Sequence, residues 1–280
     1  MMARPITPRP GKRVPVAAPI ESETQAGRDI VGSVLKACSL LEHFDASRPN
    51  WTLNDLTSAS GMNKTTVHRL MTTLIHAGWI DRTPDGGYRV AMPVFEIGSA
   101  ALVHLDIRTA ARPYMVQLAE SYGDTAYLMV PADEGAVCID RLEGNNPLVV
   151  AGINIGSVLP YHAAAGPIVM LANSDSLRER WIRDELASYT DRTLTDAGKL
   201  REHLDSVRAL GYSVSNSDYL SGVAAVAAPI LGRSGEVVAS ISIGGRVEAF
   251  EGNALQRKID SVRDAAARLT RAAQALPRQN

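Results

Sequence analysis

A helix predicted over residues 63–77 carries hydrogen-bond donors along one side. Successive helical residues lie about 100° apart, so the apolar residues fall on one face: Val67, Leu70, Met71 and Leu74. The opposite face groups basic and hydroxyl side chains: Lys64, Thr65, His68, Arg69 and Thr72. An arginine can make the bidentate contact that favours guanine, whereas lysine and threonine near a helix start can hold phosphate. The chemistry that this face offers is hydrogen bonding to base edges and phosphates.

An amphipathic surface helix would show the same division, so the flanking segments decide between the two interpretations. Upstream, Thr52 and Asp55 have the spacing of a capping box before a short helix, and Gly61 allows a turn. Downstream, residues 79–90 contain two β-prone runs around a Pro-Asp-Gly-Gly turn, which predicts a hairpin. Together these elements predict a winged helix-turn-helix over residues 28–92. The predicted DNA contacts are Lys64, Thr65, Thr66, His68, Arg69, Thr72, Arg82 and Arg89.

The rest of the chain divides into three parts. Residues 1–27 are rich in proline and basic residues and predict a disordered basic arm, whose contact with DNA stays open. Residues 93–112 predict a linker helix that begins at Pro93. Residues 113–280 mix helices with sequential strands joined by short turns, which predicts an α+β domain with a mainly antiparallel sheet.

Composition and charge exclude several classes of protein. The 280 residues include 29 basic and 30 acidic side chains, for a net charge of −1, so a structural nucleoid protein is disfavoured. The sequence has no apolar run long enough for a bilayer and no signal-like start, which predicts a cytoplasmic protein without a membrane partner. Cys38 and Cys138 lie in apolar segments and are expected to be reduced, buried thiols. We expect no cofactor and no metal site.

Longer motifs resemble the IclR family of bacterial transcription regulators. In the first half these are VGSVLKA at 31–37, KTTVHRLMTTL at 64–74 and GWI at 78–80. In the second half they are LPYHAAAG at 159–166, GY at 211–212, GVAAVAAPI at 222–230 and SISIGG at 240–245. The chain departs from the usual family pattern at Pro167-Ile168, Asp218 and Ala225, which puts the identity of the ligand in doubt.

The resemblance implies a GAF-like effector domain, paired DNA-binding domains in a homodimer or homotetramer, and control by a small organic acid. At the start of the helix near 164, small residues would let a carboxylate approach backbone N–H groups closely. By position, the family's ligand contacts correspond to Leu148, Ala151, Leu159, Ala165, Gly166, Ser215, Val223, Ala225, Ser242 and Gly244. These residues are mostly small or apolar, which is typical of a pocket for an aromatic or short aliphatic acid.

The sequence therefore predicts a ligand-responsive repressor of a catabolic operon, possessing no enzymatic activity and binding a pseudo-palindromic operator on double-stranded DNA. Its effector would be a small organic acid, such as an aromatic carboxylate or a derivative of one. The alternative is a hydrolase-type enzyme that uses Cys138 and His162, with Asp140 as a third group and an accessory DNA-binding domain. No nucleophile-elbow pattern surrounds these residues, which disfavours the enzyme.

Overall fold

The computed structural model describes residues 30–45, 48–103, 106–145, 153–183 and 185–275. The predicted arm at 1–27 lies outside them. The chain forms two compact units that divide between Ser99 and Ala100. None of the helices in these ranges combines the length and apolar character of a membrane span.

The first unit is a winged helix-turn-helix. Helices α1 (Gly32–Leu41), α2 (Leu53–Ser60) and α3 (Lys64–His76) pack on a three-stranded antiparallel sheet of β1 (Asn50–Trp51), β2 (Ile80–Arg82) and β3 (Tyr88–Val90), in the order β1-β3-β2. Leu40, Leu56, Val67, Met71 and Tyr88 are fully buried between them. Helix α4 (Met92–Val103) follows the wing and continues past the division between the units.

The second unit is built on a six-stranded antiparallel sheet in the order β6-β5-β4-β9-β8-β7. Its strands are β4 (Thr125–Ala132), β5 (Gly135–Leu142), β6 (Val158–Leu159), β7 (Ser213–Asn216), β8 (Val223–Leu231) and β9 (Val237–Arg246). Its helices are α5 (Asp106–Tyr122), α6 (Ala165–Ala172), α7 (Asp175–Trp181), α8 (Ala197–Leu210) and α9 (Gly252–Ala275), and a 3₁₀ turn spans Val247–Ala249. Helix α5 runs through residue 112, where the linker was expected to end.

Alternating residues of the sheet supply two separate cores. On β4, Ala126 and Leu128 face the cluster that α5 and α9 complete, whereas Tyr127 and Met129 face α6 and α8. This alternation follows from the two-residue period of a strand. The predictions of a winged helix-turn-helix and of an α+β domain with a mainly antiparallel sheet are confirmed.

Candidate nucleic-acid interface and ligand pocket

Both ends of α3 are fixed by local hydrogen bonds. At its start, the side chain of Asn63 accepts from the N–H of Thr66 at 2.8 Å. At its end, Gly78 adopts φ +75°, its N–H donates to Ile75 and that of Trp79 donates to Leu74. This pair of bonds is a Schellman motif, which favours glycine at that position. The limits of α3 are thus set by Asn63 and Gly78.

The two faces of α3 differ in exposure as the sequence predicts. Val67, Met71 and Leu74 are buried in the core of the first unit. Thr66 is half-buried, and the other predicted contacts of this helix are exposed: Lys64, Thr65, His68, Arg69 and Thr72. Lys64, His68 and Arg69 form no ion pair within the described ranges, so their donors are available to a ligand. Thr73, which our prediction omitted, is exposed beside Arg69.

The two wing arginines are exposed but already bound locally. Arg82 donates to the carbonyl of Gly86 at 2.9 Å and lies over the ring of Tyr88 at 4.5 Å. Arg89 pairs with Asp81 at 3.4 Å. A contact with phosphate would compete with these interactions, so the wing offers weaker attraction than α3 does.

A pocket in the second unit lies between α6, the sheet and the turn before β8. All the predicted effector contacts within the described residues line it: Leu159, Ala165, Gly166, Ser215, Val223, Ala225, Ser242 and Gly244. The remaining two, Leu148 and Ala151, lie outside the described residues. The lining also includes residues that our prediction omitted: Tyr127, Met129, Ile153, Ala164, Tyr219 and Leu220.

The space between these residues is small. Its volume is about 40 Å³, whereas a cavity of roughly 150 Å³ holds benzene. An aromatic acid would therefore have to widen the pocket as it binds. Such a ligand would favour a conformation different from this one, as a ligand that switches a protein must.

The start of α6 offers fewer free donors than a usual helix. Pro167 has no N–H, and the N–H of Ala164 donates to the Asp218 carboxylate at 3.2 Å. Ser215 donates to the other oxygen of Asp218 at 2.6 Å. Among the described residues, the N–H groups of Ala165 and Gly166 have no acceptor and remain for a ligand, with the Asp218 carboxylate close by. This end of the pocket thus combines two backbone donors with one carboxylate.

Gly166 is needed for packing. A Cβ at this position would stand 3.0 Å from Sδ of Met129 and 3.2 Å from Oγ of Ser240. The glycine allows α6 to approach the sheet. Gly166 also lines the pocket, so its role in leaving room for a ligand at the main chain stays a prediction.

The side chains that the hydrolase would need are not arranged for catalysis. A β-bulge shifts the register between β4 and β5, so Cys138 faces α6 while Asp140 faces α5, although residues two apart on a regular strand share a face. Burial raises the pKa of the Cys138 thiol to about 12, and His162 binds the carbonyl of Ala187 at 2.8 Å.

Of the two thiols that were expected to be buried, Cys138 is buried and Cys38 is not. Cys38 is exposed on α1, because only one side of this helix packs on the core. Within the described ranges, no three histidine, cysteine or acidic side chains converge as metal ligands would.

Comparison with known proteins agrees with this arrangement. The family model for the IclR helix-turn-helix domain matches residues 33–84, and that for the bacterial transcriptional regulator IclR C-terminal domain matches residues 99–271. The HTH-type transcriptional regulator KipR of Bacillus subtilis is 31% identical over 240 residues, which cover 85% of this chain and 96% of KipR. The transcriptional repressor IclR of Escherichia coli is 28% identical, covering 88% of this chain and 89% of the repressor.

A solved structure shares the fold. It is an IclR homologue from Microbacterium hydrocarbonoxydans in complex with 4-hydroxybenzoate, with a TM-score of 0.73 and 24% identity, covering 86% of this chain and 99% of the homologue. A DNA-binding helix-turn-helix and an effector domain are thus joined in one polypeptide. The chain belongs to the IclR family of bacterial transcriptional regulators.

Proposed function

We propose that this regulator represses a catabolic operon in the cytoplasm and changes its affinity for the operator when a small organic acid enters the pocket of the second unit. The outward face of α3 carries the proposal. Lys64, His68 and Arg69 lie along it and form no ion pair with any other described residue, opposite a buried apolar face. A recognition helix requires this division, since one side packs on its domain while the other reads the major groove. Repression, as opposed to activation, is supported by the Escherichia coli relative, which is a repressor.

The effector would be an organic acid, aromatic or short and aliphatic. The pocket walls are mostly small or apolar, with hydroxyl groups from Ser215 and Ser242 and backbone donors at the start of α6. An apolar pocket with a few placed donors suits a flat or compact carboxylate. The Microbacterium homologue with bound 4-hydroxybenzoate makes benzoates the first probes.

Pairing with a second copy of the chain would align two recognition helices. Apolar side chains of the first unit are exposed on α1 and α4, among them Val34, Leu35 at 57% and Phe95 at 64%. Contiguous exposed apolar residues are typical of a protein interface. A homodimer, or a homotetramer made of two such pairs, would bind a pseudo-palindromic operator with half-sites about one helical turn apart or a multiple of it.

The proposed switch is a coupling between the pocket and DNA binding. Because an aromatic acid must widen the pocket, it binds one conformation better than another. A coupling of roughly 1 to 3 kcal/mol would change operator affinity about 5- to 150-fold.

Replacing Arg69 tests the assignment of α3. We expect Arg69→Ala to weaken binding to the operator by roughly 1 to 3 kcal/mol through the lost base contact, with effector binding unchanged. Fluorescence anisotropy with labelled upstream DNA of the regulated operon gives the affinity. The matched control is Arg201→Ala, which removes an exposed charge from α8 of the second unit. Equal affinities for wild type and Arg69→Ala would contradict the role of α3.

A further inference from the structure

One part of the pocket lining is a turn that lies outside every helix and strand. Tyr219 and Leu220 line the pocket from residues 217–222, between β7 and β8, which we call the gate turn. Most of the other lining residues belong to strands or to α6, which is buried along its length. Ile153 also lies outside them, but two backbone hydrogen bonds join the turn that follows it to Cys138 of β5. Among the described residues, the gate turn can therefore move with the smallest loss of sheet and helix bonds.

Asp218 attaches the gate turn to the pocket side. Its carboxylate accepts from the N–H of Ala164 at 3.2 Å and from the hydroxyl of Ser215 at 2.6 Å. Both of these partners line the pocket. The turn is also bonded within itself, since the N–H of Gly222 donates to the hydroxyl of Ser217 at 3.1 Å. Because hydrogen bonds to a charged acceptor are stronger than neutral ones, the bonds of Asp218 hold a compact turn against the start of α6.

Backbone strain adjoins Asp218 on both sides of this attachment. Within the described ranges, Ala164 and Ser217 are the residues other than glycine whose φ is positive, at +65° and +59°. Such angles are unfavourable for a residue with a Cβ and persist only where neighbouring contacts hold them. Ser217 precedes Asp218 in the chain and Ala164 donates to its carboxylate, so one side chain restrains both. Its release would relieve strain in the turn and at the start of α6.

A second segment, residues 189–193, contacts the gate turn from outside the described pocket lining. The hydroxyl of Thr190 donates to the carbonyl of Ser217 and that of Thr193 to the carbonyl of Asp218, each at 2.6 Å. These bonds join neutral groups and do not reach α6. The segment contains no helix or strand, so it can follow the turn when the turn moves. The attachment that must break for the pocket to open is therefore the one made by Asp218.

We infer that the gate turn opens the pocket and that Asp218 is the positioning residue that holds it shut. In the closed state its carboxylate occupies the N–H of Ala164, a donor that an acid at the start of α6 would otherwise use. The effector therefore binds the open state better, and the attachment lowers its apparent affinity in proportion to the fraction of molecules that are open. This inference rests on the proposed function for the class of ligand, but not for the motion of the turn.

A thiol placed in the pocket tests the motion without any acid. Ser242 lines the pocket and is 4% exposed, so the Ser242→Cys thiol should react with methyl methanethiosulfonate only when the pocket opens. Mass spectrometry of the labelled peptide follows the reaction in a Cys38→Ser background, because Cys38 is exposed. Asp218→Ala should speed the reaction about tenfold. Asp218→Asn, whose amide oxygen can still accept from Ala164, should stay within about threefold of wild type.

Asp196→Ala is the matched control for this reaction. Asp196 lies in the same unit, and its carboxylate accepts from the N–H of Lys199 at 2.7 Å at the start of α8. Its loss removes a comparable bond away from the pocket and should leave the reaction unchanged. Thr190→Val removes one bond of the outer segment and should speed the reaction by about threefold, less than Asp218→Ala does. A reaction in Asp218→Ala that is no faster than in the control would overturn the inference.

Calorimetry with 4-hydroxybenzoate separates the attachment from the charge of Asp218. We expect Asp218→Ala to bind this acid about tenfold more tightly than wild type, a gain that the loss of a merely structural residue would not produce. Asp218→Asn removes the negative charge but keeps the bond to Ala164, so its affinity should lie within about threefold of wild type. Equal gains in the two variants would show that charge repulsion limits binding, and would overturn the inference.

The inference and the proposed function can fail separately. If 4-hydroxybenzoate binds none of these proteins, the aromatic-acid effector is contradicted, and the thiol reaction alone decides whether Asp218 holds the turn. If the acid binds but the thiol reacts equally fast in Asp218→Ala and Asp196→Ala, the effector class stands and the inference is overturned. Neither result bears on the role of α3 in DNA binding.

Discussion

Ala164, which precedes α6, has backbone angles that favour glycine. Its φ is +65° and its ψ is +149°, and Ala164 lines the pocket. An alanine in this region of the backbone map costs roughly 1 to 3 kcal/mol, so the surrounding structure must hold it there. Its N–H donates to the Asp218 carboxylate, which is one such restraint. Local strain is therefore stored where the pocket meets the helix.

We expect Ala164→Gly to leave the free energy of unfolding unchanged or to raise it by up to about 1 kcal/mol, since relief of strain outweighs the entropy that glycine adds to the unfolded chain. The neighbouring Ala163 is fully buried, and its φ is not positive. As a control, Ala163→Gly should lower the free energy of unfolding by about 1 kcal/mol through a lost methyl group and added chain entropy. Urea denaturation measures both values. If the two variants lost equal free energy of unfolding, the backbone of Ala164 would be unstrained.

The sequence predicted many of the residues that line the pocket, but not the packing role of Gly166. The family resemblance assigned Ala165, Ser215 and Gly244 by position, and all three line the pocket. Tyr127 was not identified, since an isolated tyrosine in a strand is typical of any core. Its relation to Arg141 depends on strand register, which periodicity alone does not fix.

At the scale of elements, β5 connects the pocket side of the sheet with α5. The extra residue at the bulge, Ile139, lets Asp140 face α5 while Arg141 faces the pocket side. Asp140 accepts from Arg112 at 3.0 and 3.2 Å and lies 3.4 Å from Arg108, both on α5. A bulge of one residue leaves no recognisable pattern in the sequence.

The carboxylate of Asp140 and its two arginine partners differ in burial. Replacing one side or the other should therefore lower the free energy of unfolding by unequal amounts. The side chain of Asp140 is 3% exposed, whereas those of Arg108 and Arg112 are 37% and 49% exposed. Asp140→Asn leaves two arginines that water can solvate, so we expect a loss of about 1 kcal/mol in the free energy of unfolding. The double variant Arg108→Gln, Arg112→Gln leaves a buried carboxylate without a countercharge and should lose about 3 kcal/mol or more.

Urea denaturation at neutral pH compares these two variants, and Arg268→Gln is the control. Arg268 pairs with Asp264 along α9, where both side chains are more than half exposed. Its loss should change the free energy of unfolding by less than about 0.5 kcal/mol. If Asp140→Asn lowered the free energy of unfolding more than the double variant does, Asp140 would not be the buried partner of this ion-pair cluster.

For the whole molecule, the exposed apolar side chains of α1 predict assembly. Leu35→Asp places a carboxylate where the second copy would pack, and we expect the dissociation constant for pairing to rise about tenfold or more. Sedimentation velocity should show a dimer or larger species for wild type and a shift towards monomer for the variant. Lys36→Asp adds the same group at the next, also exposed position and should leave assembly intact. Wild-type protein that sediments as a monomer would contradict the prediction.

Cys38 gives an independent measure of that assembly. It is exposed in the single chain, on the helix that carries Val34 and Leu35, so pairing should slow its alkylation and Leu35→Asp should restore it. Cys138 contributes no background, because its pKa of about 12 keeps it protonated. The sequence predicted that Cys38 is buried, and its exposure illustrates that periodicity cannot distinguish a core from an interface.

The narrowness of the pocket has a consequence for timing. A chamber of about 40 Å³ cannot admit a ring-sized molecule until its walls separate. For a molecule of that size, the association rate constant would then depend on how often the walls separate as well as on diffusion.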